Sequence, residues 1–422
     1  MTQEAVFHSG VAFDQLDIPS ALKQDLFSSG FDEASEIQKQ SIPIIITPPY
    51  KSLLAQSQNG TGKTLSFVTG MLARIDVNDP NLQAVCLFAT RELVIQTYTD
   101  YIKKLTKHYQ VNTTVLIRDP PIPSDVTKAQ LILSTPMQLD QAIDSNEIKL
   151  ASVKILVIDE ADYVLENKTF MNFFNMLFQR MTKNKSQVLL FSATVTQQVH
   201  DFVGRFIHNE NLVVISVEKN MQFIPTNKHF YCNLKSEDEK IDMIKKVFKY
   251  LSSSHTFIFV NKKAFAEDLC KSLKEQGFES QFISNKLYRG QRDNIVKQFR
   301  EGLINVLICT NMVARGLDIP VARAVVNFDM PCNDKGEVDL ETYMHRQGRT
   351  GRFERNGVVI NFISTANEKK FITKLENDYG LKVEPLENNE ESIRTVFEEL
   401  ESIIAQPLTS TDENNTDNNN NN

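Results

Sequence analysis

The sequence contains no tryptophan and only five cysteines among its 422 residues. The cysteines are widely separated and form no CxxC pair, so we expect reduced thiols and no structural zinc. No stretch approaches the roughly 18 uninterrupted apolar residues that a membrane span requires, and we expect no membrane insertion. The first ten residues lack a basic segment followed by an apolar one, which is unlike a secretory signal. The sequence therefore indicates a protein that works inside the cell.

Positive charge is also in short supply, since the net charge is −7. The acidic excess is local, because ten acidic residues and a single basic residue, Arg394, follow residue 383. Residues 1–383 are therefore close to neutral with a slight positive balance. A nucleic-acid site in this chain would have to be a local patch rather than a global field.

Short β-branched or leucine-rich runs recur between longer segments of helical periodicity, and they do so in two series. The first series comprises Ser52–Ala55, Ala84–Phe88, Leu131–Leu133, Ile155–Ile158 and Val188–Phe191. The second series comprises Thr256–Val260, Val306–Cys309, Ala324–Phe328 and Val358–Ile363. This alternation predicts an α/β protein with two parallel sheets flanked by helices.

A polar stretch without periodicity, Val217–Lys228, separates the two series and contains Pro225. We therefore predict a first domain over residues 1–216, a linker over 217–228 and a second domain over 229–386. Residues 387–422 are predicted to form an acidic, asparagine-rich tail that is largely disordered, with one helix near Ser392–Ile404.

A phosphate-binding loop is the first chemical signal. Residues 52–67 read SLLAQSQNGTGKTLSF, an apolar strand, a loop with two glycines, and then Lys63 and Thr64 opening a helix. Backbone N–H groups and a helix N-terminus in this arrangement favour phosphate. Lys63 would meet the β- and γ-phosphates, and Thr64 would hold Mg²⁺. Ser57 stands where the strict pattern has glycine, so a glycine-rich surface turn is the alternative.

The second signal is ILVIDEAD at Ile155–Asp162, a buried strand that runs directly into carboxylates. A carboxylate at the carboxyl end of a parallel strand lies beside a phosphate loop. Asp159 can then reach the Mg²⁺ shell, and Glu160 can orient or deprotonate the attacking water. A solvated acidic turn is the alternative, which the Lys63 loop upstream disfavours.

The residues Asp159-Glu160-Ala161-Asp162 spell the DEAD box, and from Phe13 to about Ile363 the sequence resembles the DEAD-box family of RNA helicases. The resemblance implies two tandem RecA-like P-loop domains and an RNA-stimulated ATPase that uses ATP and Mg²⁺. The segment Gly30–Gln38 resembles the Q motif, which implies that Gln38 reads adenine and Phe13 stacks on it. Ala34 replaces the usual proline of this motif.

Further motifs of the family follow in order. ATRELVIQ at Ala89–Gln96 is similar to the PTRELAxQ motif, and Ser192-Ala193-Thr194 matches the motif that couples ATP state to RNA binding, through Ser192 and Thr194. Thr310–Asp318 resembles motif V and His345–Arg352 resembles motif VI, which makes Arg349 and Arg352 arginine fingers. A solvated basic helix face is the alternative for Arg346, Arg349 and Arg352. The resemblance implies nucleotide contacts from Phe13, Gln38, Ser57, Gln58, Asn59, Gly60, Thr61, Gly62, Lys63, Thr64, Asp318, Arg349 and Arg352, with Thr64 and Asp159 at the metal.

In the family, RNA is held mainly through phosphates and 2′-hydroxyls, without sequence preference. The matching positions are Arg91, Thr135, Pro136, Arg292 and Thr310. Neighbouring positions depart from the pattern, because Met137-Gln138 replaces Gly-Arg, Asp119-Pro120-Pro121 replaces a double glycine, and Ser284-Asn285 replaces His-Gly. We expect each lost charge or backbone contact to weaken RNA affinity or its salt dependence modestly.

The phosphate loop SQNGTGKT, Asn311 and the insertion within Asn327–Arg346 resemble the DEAD-box helicases that remodel messenger ribonucleoprotein at the nuclear pore. This resemblance implies a function in mRNA export. It also implies nuclear-pore proteins and an inositol-phosphate-dependent activator as partners. The protein would be a monomer in nucleus and cytoplasm that acts at the cytoplasmic face of the pore. Two other functions stay open, an ATP-gated RNA clamp or scaffold with little turnover and a translocating DNA helicase. The full set of catalytic residues favours the enzyme, and Gln38 and Ser192 favour RNA.

Overall fold

The structure is a computed structural model. It describes residues 9–57, 60–117, 126–145, 148–167, 170–181, 186–216, 223, 226–251, 255–284, 287, 289–310, 322–333, 336–351 and 357–405. Within these ranges, no helix combines the length and the apolar character that crossing a bilayer requires.

The first half of the described chain is built on a sheet of seven parallel strands. The strands are β3 Ser52–Gln56, β4 Ala84–Leu87, β5 Thr113–Leu116, β6 Leu131–Ser134, β7 Ile155–Asp159, β8 Gln187–Ser192 and β9 Leu212–Ser216. Their spatial order is β5-β6-β4-β7-β8-β3-β9. A short antiparallel ribbon of β1 Val11–Ala12 and β2 Glu33–Ala34 precedes the sheet.

The second half repeats this plan with another sheet of seven parallel strands. The strands are β10 Asn227–Asn233, β11 Thr256–Phe259, β12 Ser280–Ile283, β13 Val306–Cys309, β14 Ala324–Asn327, β15 Gly357–Ile363 and β16 Val383–Pro385. Their order is β12-β13-β11-β14-β15-β10-β16. In both sheets the third, fourth, second, fifth, sixth, first and seventh strands along the chain therefore lie side by side.

Helices connect the strands and cover both faces of each sheet, as parallel sheets require. They are Ser20–Ser28, Glu36–Ile46, Lys63–Ala73, Arg91–Thr97, Lys103–Leu105, Pro136–Asp144, Ala161–Glu166, Phe170–Met181, Gln197–Phe206, Glu237–Leu251, Lys263–Glu275, Arg289–Arg300, Leu340–Gln347, Ala366–Tyr379 and Glu390–Ala405. The apolar clusters of the first half contain no residue beyond Ile215, and those of the second half begin at Phe223.

Every apolar run predicted as a strand forms one, and the predicted α/β class with two parallel sheets is confirmed. Strand β10 begins at Asn227, so the last two residues of the predicted linker belong to the second sheet. The predicted tail begins with a helix, Glu390–Ala405, which buries Ile393 and Phe397 against the second half. The asparagine tract 414–422 lies outside the described residues.

Candidate active site

The phosphate loop connects β3 to the helix Lys63–Ala73, which begins at Lys63. Gly62 precedes this helix with φ of 98°, a left-handed conformation that favours glycine. The Lys63 ammonium group is buried in the loop and donates to the carbonyl of Ser57. The hydroxyls of Ser57 and Thr61 lie 2.6 Å apart. A helix N-terminus and a buried lysine therefore face the same loop, which is the arrangement that binds phosphate.

Gln38 joins the Q element to this loop. Its amide nitrogen donates to the carbonyl of Gly62 over 3.0 Å, and its oxygen accepts from the backbone of Ser35 over 2.8 Å. A Cβ on Gly62 would lie 2.2 Å from the Gln38 amide nitrogen, so a side chain at position 62 would displace Gln38. This link to the phosphate loop was not predicted from the sequence.

Phe13, predicted to stack on adenine, begins a short 3₁₀ turn after β1 and is only 3% exposed. Its ring belongs to the apolar cluster on one face of the first sheet. Thr64, the second residue of the helix Lys63–Ala73, is partly buried, and Gly60 lies in the loop with φ of 88°. Gln58 and Asn59 lie outside the described residues.

The DEAD carboxylates follow β7 at its carboxyl end. Asp159 is the last residue of the strand, and burial together with the charge of Glu160 raises the pKa of Asp159 above its ordinary value, although Lys63 acts in the opposite direction. Glu160 has φ of 48°, a left-handed conformation that is strained for a side chain of this size. Its buried Oε2 has no hydrogen-bond partner among the described residues.

Asp162 connects the DEAD box to the Ser192–Thr194 triplet. Its backbone N–H donates to the Ser192 hydroxyl over 3.2 Å, and its Oδ2 accepts from the Thr194 hydroxyl over 2.7 Å. Burial alone would raise the pKa of Asp162, but hydrogen bonds and charge from His345, together with the hydroxyls of Thr194 and Ser192, hold that pKa well below its usual range. Asp162 is therefore ionised near neutral pH.

The same carboxylate contacts the second half of the chain. His345 Nε2 lies 3.6 Å from Asp162 Oδ2 and 3.9 Å from Oε1 of Glu341, one turn earlier on the helix Leu340–Gln347. One carboxylate oxygen each of Asp162 and Glu341 and a ring nitrogen of His345 lie within 4.8 Å of one another. Motif VI therefore lies directly against the DEAD box, and Asp162 contacts both the Ser192–Thr194 triplet and motif VI.

Arg346, next to His345, is fully buried in a polar network. Its Nη1 donates to Asn327 Oδ1 over 2.9 Å and to the carbonyl of Asp329 over 2.6 Å, while Nη2 donates to Asn261 Oδ1 over 3.1 Å. Burial lowers the pKa of Arg346 to about 9, which still leaves it charged near neutral pH. The solvated helix face considered for this arginine is thus wrong, because the partners come from distant strands.

Arg349 lies two residues beyond the end of the helix Leu340–Gln347 and is 8% exposed. Its carbonyl accepts from the backbone of Ala322 over 3.1 Å, which fixes the chain at this point. Arg352 and Asp318, the other predicted nucleotide contacts of the second half, lie outside the described residues.

The predicted RNA residues of the first half lie at helix starts that follow strands. Arg91 is the first residue of the helix after β4, and Thr135 and Pro136 begin the helix after β6. In the second half, Thr310 follows β13 directly and Arg292 is half-exposed on the helix Arg289–Arg300. The structure brings Arg91 and Thr135 to one edge of the first sheet, and it describes no contact between these residues and Arg292 or Thr310.

Strand order sorts these motifs along the carboxyl edge of the first sheet. Strands β6 and β4, which lead to Thr135 and Arg91, lie on one side of β7 and its DEAD carboxylates. On the other side, β8 ends at Ser192 and lies between β7 and the phosphate-loop strand β3. The Ser192–Thr194 triplet therefore lies between the phosphate loop and the DEAD carboxylates, while the predicted RNA positions lie on the opposite side of the DEAD strand. Such an edge with a glycine-rich loop defines a P-loop ATPase, built here from two RecA-like sheets.

Comparison with known proteins agrees with this class. The DEAD/DEAH box helicase model matches residues 35–202, and the helicase conserved C-terminal domain matches residues 239–354. The ATP-dependent RNA helicase DBP5 of Meyerozyma guilliermondii is 33% identical over 95% of this chain and 81% of its own length.

Solved structures give the same result. The structure of Saccharomyces cerevisiae Dbp5 bound to RNA and ADP BeF3 is 30% identical, covers 93% of this chain and 99% of that chain, and superposes with a TM-score of 0.84. A Dbp5 structure with Nup159, Gle1, IP6 and ADP covers 91% of this chain and all of that chain at 28% identity, with a TM-score of 0.68. The chain belongs to the DBP5 family of DEAD-box ATP-dependent RNA helicases. The predicted family, fold class and enzyme class are confirmed.

Proposed function

We propose that this chain uses ATP to unwind short RNA duplexes or to remove proteins from RNA during mRNA export. The observation that carries the mechanism is the position of Asp162, which contacts Thr194 in the first half and His345 in the second. Lys63 binds the β- and γ-phosphates, Glu160 orients the attacking water, and Arg349 and Arg352 neutralise charge that develops on the γ-phosphoryl group. Phe13 and Gln38 select adenine in this proposal.

The carboxylates of the site fit Mg²⁺. Asp159 is buried beside Glu160, and a buried pair of carboxylates with few hydrogen-bond donors favours a hard cation with oxygen ligands. Thr64, at the start of the helix after the loop, would provide a hydroxyl oxygen. Mg²⁺ held by these residues would supply positive charge that offsets the charge of the phosphates. The chain's own contribution is to hold Asp159 and Glu160 rigidly at the end of a buried strand.

RNA would lie across both halves, on Arg91, Thr135 and Pro136 in the first and on Arg292 and Thr310 in the second. Two features support coupling between RNA and ATP. The proposed RNA positions of the first half follow β4 and β6, on one side of the DEAD strand, and the helix Leu340–Gln347 contacts the DEAD box. RNA that spans both halves would favour their closure, and closure would bring Arg349 to the nucleotide.

The relatives support the cellular setting. Dbp5 structures of Saccharomyces cerevisiae contain RNA with ADP BeF3, or Nup159, Gle1 and IP6. We extend these partners to this chain, which would act as a monomer on messenger ribonucleoprotein at the cytoplasmic face of the nuclear pore. A nuclear-pore protein and an inositol-phosphate-dependent activator would then control its cycle.

Phosphate release from ATP tests the proposal. The rate is measured with polyadenylate RNA, with DNA of the same sequence and without nucleic acid, for wild type and for Lys63→Ala. We expect RNA to stimulate wild type at least about tenfold, DNA to have little effect, and Lys63→Ala to be inactive throughout. Equal stimulation by DNA would favour a DNA helicase. ATP-dependent RNA binding without stimulated turnover would favour the clamp or scaffold.

A further inference from the structure

The end of the interdomain connection is packed against the helix Leu340–Gln347, which leads into motif VI. Phe223, 4% exposed, lies in an apolar cluster with Tyr343 and Met344 of the helix Leu340–Gln347. The ring of Phe223 lies 6.3 Å from that of Tyr343 and 5.6 Å from that of Tyr379. The connection is therefore anchored to the helix that leads to Arg349 before β10 begins.

Three and four residues further on, hydrogen bonds from Thr226 and Asn227 hold both sides of the loop that carries Arg349. The Thr226 hydroxyl donates to the carbonyl of Gly351 over 2.8 Å. The Asn227 amide donates to the carbonyl of Gln347 over 3.1 Å and to its side-chain oxygen over 2.9 Å. Gln347 and Gly351 each lie two residues from Arg349, so Thr226 and Asn227 bracket the arginine.

Thr226 and Asn227 are tightly packed where they contact the Arg349 loop. A Cβ on Gly357 would lie 2.2 Å from Asn227 Oδ1 and 2.4 Å from the Thr350 hydroxyl, so β15 packs tightly against both. The Gly357 N–H donates to the carbonyl of Thr226 over 3.1 Å. Asn227 is 8% exposed and Thr350 is fully buried. Because dense packing transmits displacements, a shift of Thr226 or Asn227 must shift the Arg349 loop.

We propose that Phe223, Thr226 and Asn227 are positioning residues for Arg349, and that the connection between the halves thereby sets the place of this arginine at the nucleotide. The inference rests on the proposed function of Arg349 as an arginine finger. A displacement of about 1 Å can cost about a hundredfold in rate when reacting groups must be aligned. The loss of one bracket bond should therefore lower turnover without changing ligand affinity.

A matched pair of variants isolates one bond. Thr226→Val removes the hydroxyl that Gly351 accepts while keeping the shape and the backbone bond to Gly357, and Thr226→Ser keeps the hydroxyl. We expect Thr226→Val to lower RNA-stimulated kcat about tenfold with KM for ATP and RNA affinity within about twofold of wild type, and Thr226→Ser to restore kcat. Thr373→Val removes an exposed hydroxyl that bonds the Lys369 carbonyl and should change nothing.

The decisive measurement is the double variant Thr226→Val with Arg349→Ala. If Thr226 acts through Arg349, the double variant should be no slower than Arg349→Ala alone. A further tenfold loss in that background, or a Thr226→Val enzyme with normal kcat and only a lower melting temperature, would overturn the inference. A normal rate for Arg349→Ala alone would instead reject the finger assignment on which the inference depends.

Discussion

The two sheets have one strand order but opposite chemistry after their first strands. In the first half, β3 leads through two glycines to Lys63 at the start of a helix. In the second half, β10 leads to the helix Glu237–Leu251, which opens with Glu237, Asp238 and Glu239. Three carboxylates at a helix N-terminus repel phosphate, whereas the glycine loop with its lysine attracts it.

Lys63 and Lys240, in the helices that follow β3 and β10, also differ in what they contact. Lys240, in the helix after β10, donates to the carbonyl of Phe328 over 2.7 Å and lies 3.1 Å from Asp329 Oδ1. The second half thus pairs its lysine with the carboxylate beyond its own fifth strand, β14. The equivalent pieces of the first half, Lys63 and the DEAD carboxylates, surround the proposed phosphate site. Fold alone does not assign the site, and the residues at equivalent positions do.

The largest effect is expected where the second half contributes to chemistry. Arg349→Ala should lower RNA-stimulated hydrolysis by about 10³, the lower end of the range for arginine fingers, while ATP binding to the full chain without RNA stays unchanged. Hydrolysis at saturating RNA and binding of a fluorescent ATP analogue measure the two quantities. Arg205→Ala, at an exposed arginine, is the matched control. A loss below about tenfold would mean that the second half acts without this residue.

Glu160→Gln tests the chemistry of the first half. It should lower turnover at least about a hundredfold and retain ATP and RNA, because the phosphate loop is intact while the water-orienting carboxylate is lost. The complex with RNA and ATP should become long-lived in a dissociation assay. Glu166→Gln, at an exposed residue that ends the helix Ala161–Glu166 directly after Glu160, should behave as wild type. Turnover of Glu160→Gln within about threefold of wild type would contradict the assignment.

Lys240→Met asks whether the second half uses its lysine for stability alone. Removing one partner of a mostly buried ion pair leaves Asp329 Oδ1 and the Phe328 carbonyl without the ammonium group that donates to them, so we expect a loss of about 2–3 kcal/mol in the free energy of unfolding. Chemical denaturation of the full chain measures it, and ATP affinity should not change. Lys263→Met, which removes an exposed pair with Glu267, should cost less than about 1 kcal/mol. Equal losses in the free energy of unfolding in the two variants would contradict a special structural role of Lys240, and with it the contrast to Lys63.

The smallest effect is expected at Gln38. Gln38→Ala should reduce discrimination between ATP and GTP about tenfold, since an amide paired with the adenine edge rejects bases with reversed donors and acceptors. It should also weaken ATP binding itself slightly, because Gln38 bonds the Gly62 carbonyl. Competition by GTP in the hydrolysis assay measures the discrimination, and Gln40→Ala, exposed on the same helix, is the control. Unchanged discrimination between ATP and GTP would mean that Gln38 only supports the phosphate loop through the Gly62 carbonyl and does not contact the base.

Continuous apolar runs made the central strands predictable, because a strand covered on both faces needs an apolar residue at nearly every position. Strands β5, β9, β12 and β16 were missed, and each of them has at least two residues that are not fully buried. Strand β10 reads NKHFYCN, and its polar start was assigned to the linker. Its polar residues have partners in the fold, such as His229 with Tyr343, that no local pattern reveals.

The motifs of the site were predictable by their order along the chain, and their connections were not. Burial of Arg346 depends on Asn327 and Asn261, which belong to other strands and loops. Contacts such as Asp162 with His345 join residues in different halves. Sequence patterns describe neighbours along a helix or strand, so partners brought together only by the tertiary fold stay hidden until the fold is known.

The separation of the two sheets along the chain has a consequence for synthesis. Every strand of the first sheet precedes residue 217, and every strand of the second follows residue 226. Each strand of the first sheet pairs only with strands that have been synthesised by residue 216. At about 5–20 residues per second, roughly 7–27 s pass between completion of the first sheet and synthesis of Arg349. The first half, which carries the phosphate loop, can therefore fold during translation before Arg349 has been synthesised.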